Sequence, residues 1–318
     1  MSLIVASILV LMFLNLVLGS VSIPLKSVWN IICGLGDEPV TWQNIVWKSR
    51  LPQALTALVA GAGLAISGLQ MQTVFRNPLA GPSVLGISSG ASMGVAFVVL
   101  LSGSLGGVAL SKLGFMGEIA LSIAAVIGSL SVMALIVYVS QKVKGNVTLL
   151  IIGVMIGYVA NAVIGVLKFF SVEEDIRAYV IWGLGSFSRV SGNQMMLFVA
   201  IMAILIPLSF LLIKTLNLML LGDGYARNLG LNIKRARLLV ITSAGVLTAI
   251  VTAYCGPVIF LGLAVPHLCR AIFQTSDHRV LMPAVLFAGA ALALVCNLIA
   301  RMPGFEGALP VNSVTALI

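Results

Sequence analysis

Residues Gly86–Gly90 read Gly-Ile-Ser-Ser-Gly, the G-x-S-x-G spacing of a nucleophile elbow. That chemistry, acyl transfer through Ser88, needs a strand–turn–helix setting and a partnering histidine and acid. Here the stretch opens a long apolar run, and both histidines, His267 and His278, lie far along the chain. Small residues letting helices approach closely account for it better. "GAGLAISG" (Gly61–Gly68) looks like a dinucleotide loop but has the wrong spacing and no preceding soluble strand, so it too reads as a close-packing helix face. His267 and His278 lack carboxylates at ligand spacing, whereas a metal site wants three or four convergent ligands. Structural or capping roles are expected for both. Cys33, Cys255, Cys269 and Cys296 form no Cys-x-x-Cys, and three of them fall in or beside apolar runs, where cysteine acts as a small hydrophobe. No G-x-x-x-x-G-K motif occurs, so if ATP drives this protein, another chain binds it. Catalytic and metal-ligating residues are therefore assigned to none.

The elements that would position such residues are membrane spans. Of 318 residues, 60% are hydrophobic and only 8% charged, and the mean hydropathy is +1.16. Soluble domains carry about a quarter charged residues, so the solvent must be lipid. Long continuous apolar runs, without the ten-residue alternation of a barrel, indicate an all-α polytopic membrane protein. At about 20 residues per span there are ten runs, at 3–23, 51–74, 84–101, 117–139, 148–170, 193–214, 236–254, 258–274, 281–300 and 309 onward. The first lacks a basic start and a cleavage site and reads as a retained span. The last is cut short at Ile318, so the chain as given is expected to stop inside its final helix. All of 1–318 reads as one transmembrane domain.

Charge orients the spans. With a cytoplasmic N-terminus, the inner side holds ten basic residues against Asp223 and Asp277, and the outer side eight basic against seven acidic. Those balances, +8 and +1, make up the chain's +9, put both ends in the cytoplasm, and explain the basic excess without nucleic acid. Glu118 and Lys168 sit near span ends and can reach outward. An ion-coupled carrier usually needs a carboxylate or a broken-helix ion site at mid-depth. Without one, the chain suits a passive pore or a translocator driven from outside the membrane.

Two inner stretches stand out. "RNPLAGPSVLG" (Arg76–Gly86) is elaborate for a simple turn, and "LGDGYARNLGLNIKRARL" joins apolar anchors (Tyr225, Leu229, Leu231, Ile233) to a basic face (Arg227, Lys234, Arg235, Arg237). The second is either a headgroup-touching loop or a docking surface. "GPSVLG" on the inner side and "GPVIFLG" (Gly256–Gly262) on the outer side have the relation an inverted-topology repeat leaves, predicting two halves that fold alike.

"RLPQALTALVAGAGLAISGLQMQTVFRNPLAGPSVLGISSGA" resembles the characteristic block of FecCD-type permeases, the membrane subunits of ATP-binding-cassette importers for iron-siderophores, haem and cobalamin. "GYARNLGLNIKRAR", "GPVIFLGLAVPHLCR", "DHRVLMPAVLFAGA" and "NLIARMPGFEGALPVNSVTALI" continue the likeness in order, over nearly the whole chain. The resemblance implies a type II importer permease fold with about ten transmembrane helices per subunit in inverted-repeat halves. It implies a bacterial cytoplasmic-membrane location and a permease dimer, with a homodimer favoured, around an axial pathway. It also implies two cytoplasmic ATPases, which bind the ATP and magnesium, and a periplasmic or lipid-anchored binding protein. The chain itself would hold no cofactor and catalyse nothing.

Residue by residue, the likeness implies a cytoplasmic gate at Asn77, Pro78 and Leu79, with a second constriction at Asn146 and Val147. It implies an ATPase-coupling loop over 215–237, carried by Gly224, Tyr225, Ala226, Arg227, Leu229, Gly230, Leu231 and Arg235. Arg50 and Arg301 match positions that pair with carboxylates of the binding protein, while Gln53 stands where many relatives carry arginine. The competing reading is a stand-alone passive pore or ion-coupled secondary transporter, and a structural membrane scaffold is a distant third.

Overall fold

A computed structural model describes residues 2–35, 37–104, 115–143, 145–190, 192–302 and 309–317. The regular structure among these residues is all helical, with no strand, because backbone groups in lipid must be satisfied within their own segment. The chain begins with α1 (Ser2–Val17), α2 (Leu25–Cys33) and α3 (Val40–Ile45). A π-helical turn at Val46–Arg50 joins α3 to α4 (Leu51–Phe75) in one helix running from Val40 to Phe75. A 3-10 turn at Pro82–Leu85 precedes α5 (Ile87–Ser104), α6 (Phe115–Lys142) and α7 (Asn146–Phe169). Next come α8 (Glu173–Gly183), α9 (Gly192–Phe210), α10 (Ile213–Leu220) and α11 (Asp223–Asn228). The chain continues through α12 (Ile233–Cys255), α13 (Leu261–Phe273), α14 (His278–Ala300) and α15 (Val311–Leu317). Among the described residues, six helices are long and apolar enough to cross a membrane, and α1, α5 and α13 are shorter apolar helices. With α15, these occupy the ten apolar runs of the sequence. The elements outside those runs, α2, α3, α8, α10 and α11, are all short.

Lipid tails are as apolar as leucine, so close packing and internal hydrogen bonds must hold the helices together. The central helix α4 is buried almost from end to end and packs on α12, α13 and α14. At Gly61 a methyl group would overlap the Gly289 carbonyl of α14, so only glycine admits this approach. Polar side chains pair across the same seams. Ser67 donates to the Ala244 carbonyl at 2.8 Å and lies 2.7 Å from Thr248 Oγ1. The Asn297 amide donates to Asn15 Oδ1 at 2.8 Å, and Asn15 in turn donates to the Leu294 carbonyl, tying α1 to α14.

The two halves pack in exchanged pairs. Helix α4 lies on α13 and α14, α12 lies on α5 and α6, and α5 pairs with α6 as α13 pairs with α14. This is the arrangement an inverted repeat produces, with α4, α5 and α6 matched to α12, α13 and α14. One expectation is corrected here. "GPSVLG" and "GPVIFLG" do not stay on opposite faces; they meet. A methyl at Gly262 would come within 2.7 Å of Pro82 Cδ and 3.0 Å of the Leu64 carbonyl, halfway along α4. At Gly68 it would overlap the Gly262 carbonyl itself. Both broken segments therefore dip toward mid-depth, and the 13 residues of α13 rise only about 20 Å.

Candidate functional site

The stretch that ends α4 is tightly specified. Arg76 closes the helix in the left-handed region, φ 47°, a conformation costly for a side-chain-bearing residue unless its surroundings impose it. Its N–H reaches the Thr73 carbonyl and that of Asn77 the Gln72 carbonyl, at 3.3 and 3.2 Å. The Asn77 side-chain oxygen then accepts the Leu79 N–H at 2.9 Å, an Asx turn that fixes the bend. This leaves Pro78 exposed and Leu79 70% exposed at one end of the bundle. Val147, in the first turn of α7, is likewise exposed, and α7 packs along the Pro82–Leu85 turn. Asn146 is the first residue of α7. Asn77–Leu79 thus follow the C-terminal end of α4 and Asn146–Val147 open α7, and both helices contact the Pro82–Leu85 turn.

The stretch 215–237 is more ordered than a loop. Residues to Leu220 belong to α10 and those from Ile233 to α12, with the six-residue α11 between them. Gly222, at φ 98°, turns the chain into α11. The Gly230 and Leu231 N–H groups close α11 onto the carbonyls of Arg227 and Ala226, and Asn232 caps α12 by accepting the Arg235 N–H at 3.2 Å. Ala226 is buried beneath α11, and Leu231 packs partly into the core. Tyr225 (73% exposed), Arg227, Leu229 and Arg235 stand outward, with Gly224 and Gly230 also at the surface. The helix is anchored by its small face and presents its large residues.

Asp223 joins these two places. Its Oδ1 pairs with Arg76 and its Oδ2 lies 3.6 Å from Arg237 Nη2, while Arg76 also donates to the Met219 carbonyl at 3.3 Å. The first residue of α11 therefore holds the residue that ends α4. A second link runs through the buried His278, which contacts Thr73 Oγ1 of α4 at 2.8 Å and Asn217 Oδ1 of α10 at 2.8 Å. Asn217 donates to Asp277, which caps α14 by accepting the Arg279 N–H. That backbone bond, with the Asn217 amide second, holds the Asp277 carboxyl below its ordinary range. His278 has the structural role expected of it. Sequence reasoning missed Asp223 as a site residue, although a signal existed: Asp223 and Asp277 are the two acids placed on a strongly basic side, and both are in use.

On the other side, Arg50 departs from expectation. It is 1% exposed and spends its guanidinium on the carbonyls of Leu16, Val17 and Val21, where α1 ends. It fastens α1 to the bundle and does not project outward. Arg301 comes beside it at Gly19, whose added methyl would lie 3.2 Å from both guanidinium groups. Burial, with Arg50 adding repulsion, lowers the Arg301 pKa to about 10, and its Nη1 has no partner among the described residues. Gln53 turns inward to Ser49 Oγ at 3.1 Å. Between the two ends, α7 is largely unburied, and a cavity of about 240 Å³ between it and the Pro82–Leu85 turn is lined by Ser83, Ser89, Tyr158 and Asn161.

The family model described as the FecCD transport family matches residues 7–318. The chain is 35% identical over 276 residues to the vitamin B12 import system permease protein BtuC of Klebsiella pneumoniae, covering 87% of this chain and 80% of that one. It is 33% identical over 303 residues to the hemin transport system permease protein HmuU of Yersinia pestis, covering 95% and 86%. A solved structure described as a metal-chelate type ABC transporter in an inward-facing conformation superposes with a TM-score of 0.84 at 27% identity, over 99% of this chain and 94% of that one.

Proposed function

Because the chain belongs to the FecCD transport family, we propose that it forms the membrane pathway of an ATP-driven importer for a metal chelate of the siderophore, haem or cobalamin class. It is a multi-pass permease of an ATP-binding-cassette importer, a non-catalytic membrane subunit. In the proposed assembly, two copies of the chain enclose an axial path along the unburied face of α7. Two cytoplasmic ATPases, which bind the ATP and magnesium, seat on α11. A binding protein delivers cargo at the outer end near Arg301, with Arg50 holding that surface in place. Both termini face the cytoplasm.

One observation carries the mechanism: Asp223, the first residue of the outward-facing α11, is ion-paired to Arg76 at the turn bearing Asn77, Pro78 and Leu79. A push on Tyr225, Arg227 or Leu229 is thereby delivered to the inner mouth. There an exposed leucine and proline close by contact, not by binding, which suits a large polar cargo that must be released. The test is reconstitution with the cognate ATPase and binding protein, measuring uptake of labelled cobalamin, haemin and a ferric siderophore. Uptake of one of them only with hydrolysable ATP is expected. Uptake that persists without ATP, or follows a proton or sodium gradient, overturns the reading in favour of a pore or ion-coupled carrier.

A further inference from the structure

A cavity of about 460 Å³ opens between the inner ends of α6 and α12 and the side of α11. Lys142, Arg227, Lys234 and Arg237 line it, with Asp223 as its one carboxylate. Asp223 is already shared between Arg76 and Arg237, so the cavity keeps a marked excess of positive charge. Two further observations point to an anion as its ligand. Arg237 is 8% exposed, yet its Nε–H has no hydrogen-bond partner among the described residues. A buried donor without an acceptor is uncommon and costly. The first turns of α12 also carry Lys234, Arg235 and Arg237 with no acid. That is the wrong sign for the positive end of a helix dipole unless a negative group sits there.

We propose that this cavity binds the phosphate of an anionic membrane lipid. The Nε–H edge of a guanidinium presents parallel donors that match two phosphate oxygens, while Lys142 and Lys234 supply point charges around them. Basic pockets between spanning helices on the cytoplasmic side are the usual setting for such headgroups. The surroundings favour a lipid as the source. Lys142 Nζ lies 2.6 Å from the hydroxyl of Tyr138 and 4.5 Å from its ring centre. From Tyr138 the exposed apolar residues Leu135 and Ile127 lead back along α6, where an acyl chain would lie. The proposal rests on the inner-side placement of these helix ends and on no step of transport.

The test therefore uses neither cargo nor ATP. The permease–ATPase complex, in detergent, is titrated with phosphatidylglycerol, with phosphatidylcholine and with inorganic phosphate, following bound lipid by native mass spectrometry and thermal unfolding. Binding of phosphatidylglycerol about tenfold tighter than phosphatidylcholine is expected. Arg237→Gln should abolish the preference and Lys142→Gln weaken it about fivefold, while Lys26→Gln at the other end leaves it unchanged. Should Arg237→Gln not fold, the exposed pair Lys142→Gln and Lys234→Gln together carries the same expectation. Equal binding of the two lipids, or a preference that survives these substitutions, overturns the proposal. Inorganic phosphate giving the same stabilisation as phosphatidylglycerol assigns the site to free phosphate and overturns the lipid source. A preference seen only once the ATPase is removed makes the cavity a protein contact and overturns it equally. Failure on any of these grounds leaves the importer reading standing, because transport is not measured.

Discussion

Substituting Asp223→Asn separates a coupling role from a structural one. The change keeps the shape of the side chain and removes its charge. Arg76 and Asp223 have side chains 44% and 41% exposed, so solvent screens their pairing to about 1 kcal/mol or less. The contact to Arg237 is longer, 3.6 Å, but the Arg237 side chain is only 10% exposed and loses its carboxylate, which costs about 1–3 kcal/mol. The chain should therefore still fold, with unfolding moved down by only a few degrees. What suffers is the connection between α11 and the turn at Arg76. About 1 kcal/mol of lost connection changes the coupled population about fivefold. In proteoliposomes, cargo imported per ATP hydrolysed should fall about fivefold while hydrolysis itself continues. The charge-swapped pair Asp223→Arg with Arg76→Asp should recover part of the loss, as interacting sites do in a double-mutant cycle. An unchanged ratio in Asp223→Asn, or a swapped pair no better than the sum of its parts, refutes the argument that this pair transmits the motion.

Four other substitutions test other parts of the structure. Gly68→Ala places a methyl into the Gly262 carbonyl, and should cost about 1–3 kcal/mol by forcing α13 away from α4, measured by thermal unfolding in detergent; wild-type stability would mean the helices are not in contact there. Arg50→Gln strips three carbonyl bonds from the end of α1 and should lower stability by about 3 kcal/mol. Arg301→Gln, by contrast, should mainly weaken binding-protein affinity, so equal stability losses in the two variants would contradict the division of roles. Leu79→Ala removes the exposed apolar group of the turn that follows α4, and should raise ATP-independent leak of cargo from loaded liposomes without altering the unfolding temperature; unchanged leak makes the turn a connector only.

The spans were legible because lipid demands long apolar runs, and α6, α7, α12 and α14 follow those runs closely. The glycines of "GAGLAISG" were legible as packing residues because lipid-embedded helices associate through small residues. Short helices such as α2 and α8 were not: they take their conformation from what they lie against, and no span-length pattern marks them. Arg50 was read as a docking residue from the likeness, and a matched position says nothing of whether nearby carbonyls draw the guanidinium inward. Asp223 was counted as an inner charge, but its partner Arg76, at the end of α4, lies 147 residues away in sequence.

The shortness of α13 bears on how the chain is made. Thirteen residues rise about 20 Å, against about 30 Å of hydrocarbon. A segment of that length has little reason to enter the bilayer alone. Its first residues find their neighbours in Leu64 and Gly68 of α4 and in Pro82, all synthesised long before. Helix α13 can therefore seat only after the N-terminal half is in place, arriving with α14 as a hairpin that docks onto a waiting α4. On this account the order of synthesis is also the order of assembly, and damage to α4 leaves α13 without the surface it must dock on.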